Sequence, residues 1–167
     1  MRDHDPAQWG RIHVQVAGSA GHVQVVPELI EWLDSPELSR VSAAAIGQIT
    51  GLDVVRDDLQ GQSLASVRPR AADALSAEVS EINPDAGLPW PSRTRFAQRW
   101  QAVKGRFNEG TPYLAGLPVT AAHLRTVLLK GPLPWRRAAA VRLQQLNRGA
   151  LFPTRLPARD QCALLTP

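Results

Sequence analysis

The stretch from Gly21 to Leu52, GHVQVVPELIEWLDSPELSRVSAAAIGQITGL, constrains this chain more than any other. Val25, Val26, Leu29, Ile30 and Leu33, with Trp32 beside them, follow the spacing of an amphipathic helix, and Gln24, Glu28 and Glu31 are left for its wet side. Pro27 is tolerated only in a first turn, where its missing N–H has no partner to lose, so the helix starts near residues 24–26. Asp34-Ser35-Pro36-Glu37 then combines a stop with a new start: Ser35 reads as an N-cap, Pro36 as the first helical residue, and Glu37 complements the positive helix end. The second helix sets Leu38, Val41, Ala45, Ile46 and Ile49 on one face. Its small residues Ser42, Ala43, Ala44 and Gly47 allow a close neighbour, and Gly51 ends it. The stretch is a helical hairpin.

Upstream, Ile12-His13-Val14-Gln15-Val16 alternates like a strand. A lone strand has no partner elsewhere in the chain, so Trp9 to Ala17 is assigned to the end of a preceding helix, with Gly18 to Gly21 as the connection. From Asp53 to Pro91 periodicity fades. A short helix is expected over 71–82 and a turn at Asn83 to Gly87, and an irregular linker outweighs a partner-binding loop. Leu88-Pro89-Trp90-Pro91 holds a tryptophan on extended backbone. Ser92 caps a helix from Arg93 to about Phe107, with Phe96, Trp100, Val103 and Phe107 at spacings of four, three and four.

Residues 108–118 form a compact connection with an aromatic anchor, Tyr113. Thr120 caps a helix to Lys130 with Leu124, Val127 and Leu128 inward. Gly131-Pro132-Leu133-Pro134 turns into a last helix, with Ala138, Ala139, Val141, Leu143 and Leu146 toward neighbours, closed by Asn147-Arg148-Gly149. Three prolines make residues 151–167 an extended tail. The expected organisation is all-α: a partial repeat plus one hairpin over 1–52, an irregular segment over 53–91, a helical region with a second hairpin over 92–150, and the tail.

The length, 167 residues, suits one domain with a core. A single Cys excludes an internal disulfide framework, and no run of 18 apolar residues or signal-peptide pattern is present, so a cytoplasmic protein is expected. Charge is split. Residues 1–90 carry six arginines against thirteen acids, net −7, and residues 91–167 carry thirteen Lys/Arg against two acids, net +11.

A helix with an early proline, a D-x-P turn and an Ala-rich second helix resembles one HEAT repeat, a unit that needs stacked neighbours. The second half is similar to the C-terminal end of a proteobacterial HEAT-repeat family through the L-P-W-P segment at Leu88 to Pro91, the helix bearing Trp100, the connection Pro112 to Gly116 and the R-R-A-A-A run at Arg136 to Ala140. Ile49-Thr50-Gly51-Leu52 followed by Asp57-Asp58 extends the resemblance, which runs from about Gly10 to Ala158. It implies a short α-solenoid and upstream repeats that would cover the side from Val23 to Leu33. It also implies an accessory, adaptor or immunity-type role beside type VI secretion components. The family's middle loop is acidic; here Arg56, Arg68 and Arg70 interrupt it.

Chemistry has little support. His4, His13, His22 and His123 are scattered without metal-ligand spacing, Cys162 has no catalytic His nearby, Gly18 and Gly21 lack a preceding strand, and Asp57-Asp58 reads as a solvated pair. No cofactor, metal or enzymatic activity is expected. The expected function is protein binding, with Arg136, Arg137, Arg142, Trp135 and Arg99 as candidate contacts and Trp90 and Trp100 as packing anchors. The alternative is nucleic-acid binding by the basic half, weighed below a protein partner because concave repeat surfaces mostly serve proteins and the acidic half itself offers an internal partner.

Overall fold

Local signals set most of the helices. The computed structural model describes residues 6–63, 85, 87–148, 151–156 and 158–165. The strand-like alternation at Ile12 to Val16 lies inside helix α1, Pro6–Ala20. Gly18, expected in the connection, is helical and touches the helix that carries Ala45: a Cβ at Gly18 would lie 2.9 Å from that of Ala45, so the missing side chain lets the helices close up. The turn is made by Gly21 alone, at φ 72°.

After a 3-10 turn at Val23–Val25, α2 runs Val26–Glu31 with Pro27 in its first turn. A second 3-10 turn, Trp32–Asp34, leads to α3, Ser39–Thr50. Ser35 acts differently from the expected N-cap. Its carbonyl accepts from the amides of Leu38 (3.2 Å) and Ser39 (2.7 Å), its hydroxyl donates to Glu37 Oε2, and α3 begins at Ser39 with Leu38 before it. Gly51 does end α3, at φ 75°.

The side from Val23 to Leu33 is not an open edge. Val23, Val26, Leu29, Ile30 and Leu33 are all buried, in a core shared with α1, α3 and the helix α4, Arg93–Val103. This side is thus covered from within the described residues, by both halves of the chain. Apolar surface instead remains on the outer face of α1, at Trp9, Ile12 and Val16.

Beyond Gly51 the described part of the middle segment is irregular but anchored. Asp53 Oδ1 accepts from the amides of Val55 and Arg56, Leu59 is buried in the core, and Gln60 bridges to Pro91. Gly61 N–H donates to Trp90 O (2.9 Å) and Ser92 N–H to Leu59 O (2.8 Å). The helix expected over 71–82 lies outside the described residues. Ser92 caps α4, Arg93–Val103, by accepting from Arg95 N–H, and Phe96, Trp100 and Val103 enter the core.

The 3-10 turn Lys104–Arg106 leads to a hairpin absent from the expectations: β1, Tyr113–Leu114, pairs antiparallel with β2, Leu117–Pro118. Ala115 and Gly116 between them both have positive φ (54° and 82°), the signature of a type I′ turn. β1 is also a seam. Tyr113 N–H donates to Gly21 O (2.8 Å), and Ala115 and Gly116 N–H donate to Gln48 O (2.6 Å) and Ile49 O (3.0 Å), carbonyls that the end of α3 leaves without helical partners. Tyr113 belongs to the first core, edge-on to Phe107, and Leu114 to a second core.

That second core lies between α5, Ala121–Lys130, and α6, Leu133–Asn147. Thr120 caps α5, accepting from His123 N–H, and Leu124, Val127 and Leu128 meet Ala138, Ala139 and Ala140. His123 Nε2 lies 2.7 Å from Leu114 O and ties α5 to β1. Two expectations fail here. Val141 and Leu146 are exposed, because α6 meets neighbours mainly through alanines. The tail is not extended throughout: Ala158–Leu165 is helix α7, with buried Gln161 donating to Thr154 O and Leu156 O and accepting from Arg136. The molecule is all-α apart from one two-stranded hairpin among the described residues.

Candidate interaction surface

The thirteen cations of the second half divide into those used internally and those left facing out. On α4, Arg93 pairs with Glu31 and with Asp34 (3.1 Å), Arg95 with the carboxylate of Asp58 (2.9 Å), and Arg99 with Asp57 (3.7 Å). The basic half thus meets the acidic half along one helix. In the first half Asp85 is buried and bound by Arg11, whose Nη1 donates to Oδ2 at 2.8 Å; Arg40 donates to the Asp85 carbonyl (2.7 Å) and stacks 4.6 Å above the Trp90 ring. The hydrogen bond to Asp85 raises the Arg11 pKa, against the opposing effect of burial.

Of the five candidate contacts, three are occupied within the molecule. Arg99 holds Asp57, Arg136 donates to Gln161, and Arg142 donates to the carbonyls of Ser19 (3.1 Å) and Ala20 at the end of α1. Trp135 is half-buried against the second core. Arg137 alone of the five is exposed with no ion pair among the described residues. Helix periodicity places Arg136, Arg137 and Arg142 on one element. It cannot tell which of them meets the end of another helix 122 positions away.

Arg137 has company that side-chain type alone does not single out. Arg125 and Lys130 on α5, and Arg148 at the end of α6, are likewise exposed and make no ion pair among the described residues. Leu133 (44% exposed), Arg137, Val141 (46%) and Gln144 follow one another at intervals of four, four and three, one face of α6, and exposed Arg148 caps its C-terminal end at φ 50°. On α5, Arg125 precedes exposed Leu129 by one turn. The hairpin thus presents cations and apolar side chains interleaved.

Elsewhere the surface offers less. A groove of about 420 Å³ runs between Val23, Pro27, Trp100 and Phe107, with Lys104 and Glu109 among its lining. Among the described residues no three His, Cys, Asp or Glu side chains are placed to hold a metal ion, and no helix is long and apolar enough to cross a membrane. His13 lies edge-on to Trp32 and 3.6 Å from Glu28, apart from the other histidines described. No protein-family model matches the chain, and neither does any curated protein or solved structure.

Proposed function

We propose that this chain is a non-enzymatic protein-interaction module, a HEAT-like scaffold or adaptor that docks its partner on the outward face of α5 and α6. The observation that carries it is the exposed run Leu133, Arg137, Val141 on α6, in a molecule that spends its other candidate arginines on its own carbonyls and carboxylates. Cations left unpaired while apolar side chains stay open between them are the composition of a protein-binding patch. The HEAT-like assignment is supported by two pairs of consecutive helices in contact, α2 with α3 and α5 with α6. Accessory work beside type VI secretion is supported by the sequence resemblance alone, and a cytoplasmic setting by the single cysteine.

Nucleic acid is the second reading, favoured by Arg125, Lys130, Arg137 and Arg148 standing free of described carboxylates. The interleaved Leu129, Leu133 and Val141 favour a protein, since phosphates gain nothing from them. Affinity capture from an extract decides, comparing the full chain with the double variant Arg137→Glu/Val141→Asp. Proteins held by the parent chain and released by the variant support the module. Identical capture by both removes it.

A further inference from the structure

We infer that the partner segment at this face is an acidic amphipathic helix, laid along α6 with carboxylates and apolar side chains interleaved. The inference rests on the docking role of α5–α6 proposed above and gives that site its partner chemistry.

Charge selects the sign. The hairpin's outward cations Arg125, Lys130, Arg137 and Arg148 face no carboxylate among the described residues, and the stretch from residue 104 to 165 holds only Glu109 and Asp160, the latter already beside Arg159. A partner bearing carboxylates would supply the counter-charge that the described residues leave absent. Pattern then selects the class. A helix that lies in a lipid surface segregates its basic and apolar faces, and a phosphate-binding surface needs cations without oily neighbours. Here Leu133, Arg137 and Val141 alternate turn by turn along one face. Geometry selects the form. From Leu133 to Gln144 the face extends ~16 Å at the helical rise, and Arg148 follows just beyond the last residue of α6. A second helix of about three or four turns repeats its own side chains at that period, so it can set an acid against Arg137 and apolar residues against Leu133 and Val141. Long arginine stems add apolar cover beneath their charged heads.

The test uses the full-length chain and four probes under one buffer series: a 20-residue peptide of Glu, Leu and Ala with Glu and Leu interleaved at helical spacing, the same peptide with every Leu replaced by Ala, a 20-base-pair DNA duplex, and vesicles containing phosphatidylserine. Binding is followed by calorimetry and peptide helicity by circular dichroism. The expected result is saturable binding of the interleaved peptide with a gain in its helicity. Binding should fall about tenfold or more with the Leu-free peptide, with Arg137→Glu and with Val141→Asp. Arg106→Glu, exposed but off this face, should bind as the parent does, and melting curves should show all three variants folded. Tighter binding to DNA with a steep salt dependence, or to the vesicles, overturns the inference. So does a peptide that binds equally well without its leucines. If no probe binds yet captured proteins still depend on Arg137 and Val141, the partner chemistry is wrong and the docking face stands. If that dependence is absent too, both fall.

Discussion

Arg142 closes the end of a helix to which it does not belong: its guanidinium reaches across from α6 and donates to the carbonyl of Ala20, the last residue of α1. The carbonyls at a helix C-terminus lack intrahelical donors and carry the negative end of the dipole, so a cation with several N–H groups suits them. Ser19 O is held by the same nitrogen. The C-terminal end of α3 is met the same way, by the amides of Ala115 and Gly116. Both long helices of the first half are therefore finished by groups from the second.

Arg142→Ala should lower stability by about 1–2 kcal/mol, the scale of hydrogen bonds from a charged donor that are only part-buried. In a chain of this length that is a fall in melting temperature of roughly 2–8 °C. Arg142→Lys should recover only part, because an ammonium lacks the guanidinium's fork. A melting curve indistinguishable from the parent's would show that water caps α1 as well as Arg142 does.

Gly21→Ala tests the seam. A Cβ there would sit 2.2 Å from Tyr113 O, and the residue is at φ 72°. The left-handed conformation and the forced separation together should cost about 2–5 kcal/mol. Because β1 must move, amide exchange should accelerate at Tyr113 as well as at residue 21. Exchange confined to residue 21 would contradict the shared pairing.

Ser42→Ala should raise stability by about 0.5–1 kcal/mol. The Ser42 hydroxyl is fully buried in α3 and has no hydrogen-bond partner among the described residues, so alanine removes an unsatisfied group and adds helix propensity. Ser39, in the same situation, should respond alike. Destabilisation on denaturant titration would mean the hydroxyl is satisfied after all.

Asp85→Asn should weaken the hold on Arg11 and leave charge behind in a site where Asp85 is 4% exposed. A loss of about 1–3 kcal/mol is expected, tempered by the part-exposure of Arg11. The same substitution leaves the Arg40 contact to the Asp85 carbonyl in place, so Trp90 fluorescence should change little. A large emission shift would couple the two contacts.

The helix signals that could be read ahead are those confined to a few neighbouring residues. Ser92 and Thr120 cap α4 and α5 as their type and position require, Pro27 lies in a first turn, and Gly51 ends α3. Ser35 shows the limit, since its side chain is drawn to Glu37 and its carbonyl starts the turn instead. The hairpin at Tyr113 escaped because two-residue strands leave no alternation to detect; the only local trace is Gly116 after Ala115. The division of arginines was illegible for a different reason. Whether Arg142 or Arg137 faces outward depends on where the end of α1 comes to rest, a long-range fact that helical phase does not contain. Val141 and Leu146 misled in the same way, since an apolar residue on a helix packed through alanines need not find a wall.

The bridge between Gln60 and Pro91 has a practical side. With Gly61 bonded to Trp90 and Ser92 to Leu59, residues 59–61 and 90–92 lie side by side, like two adjacent pins of a socket. What is plugged in between those pins need not match any fixed length, because doubling a tethered loop changes its closure free energy by only about 0.6 kcal/mol. A fluorescent domain or an affinity tag spliced in just after Gly61 would be tethered where Gln60 meets Pro91.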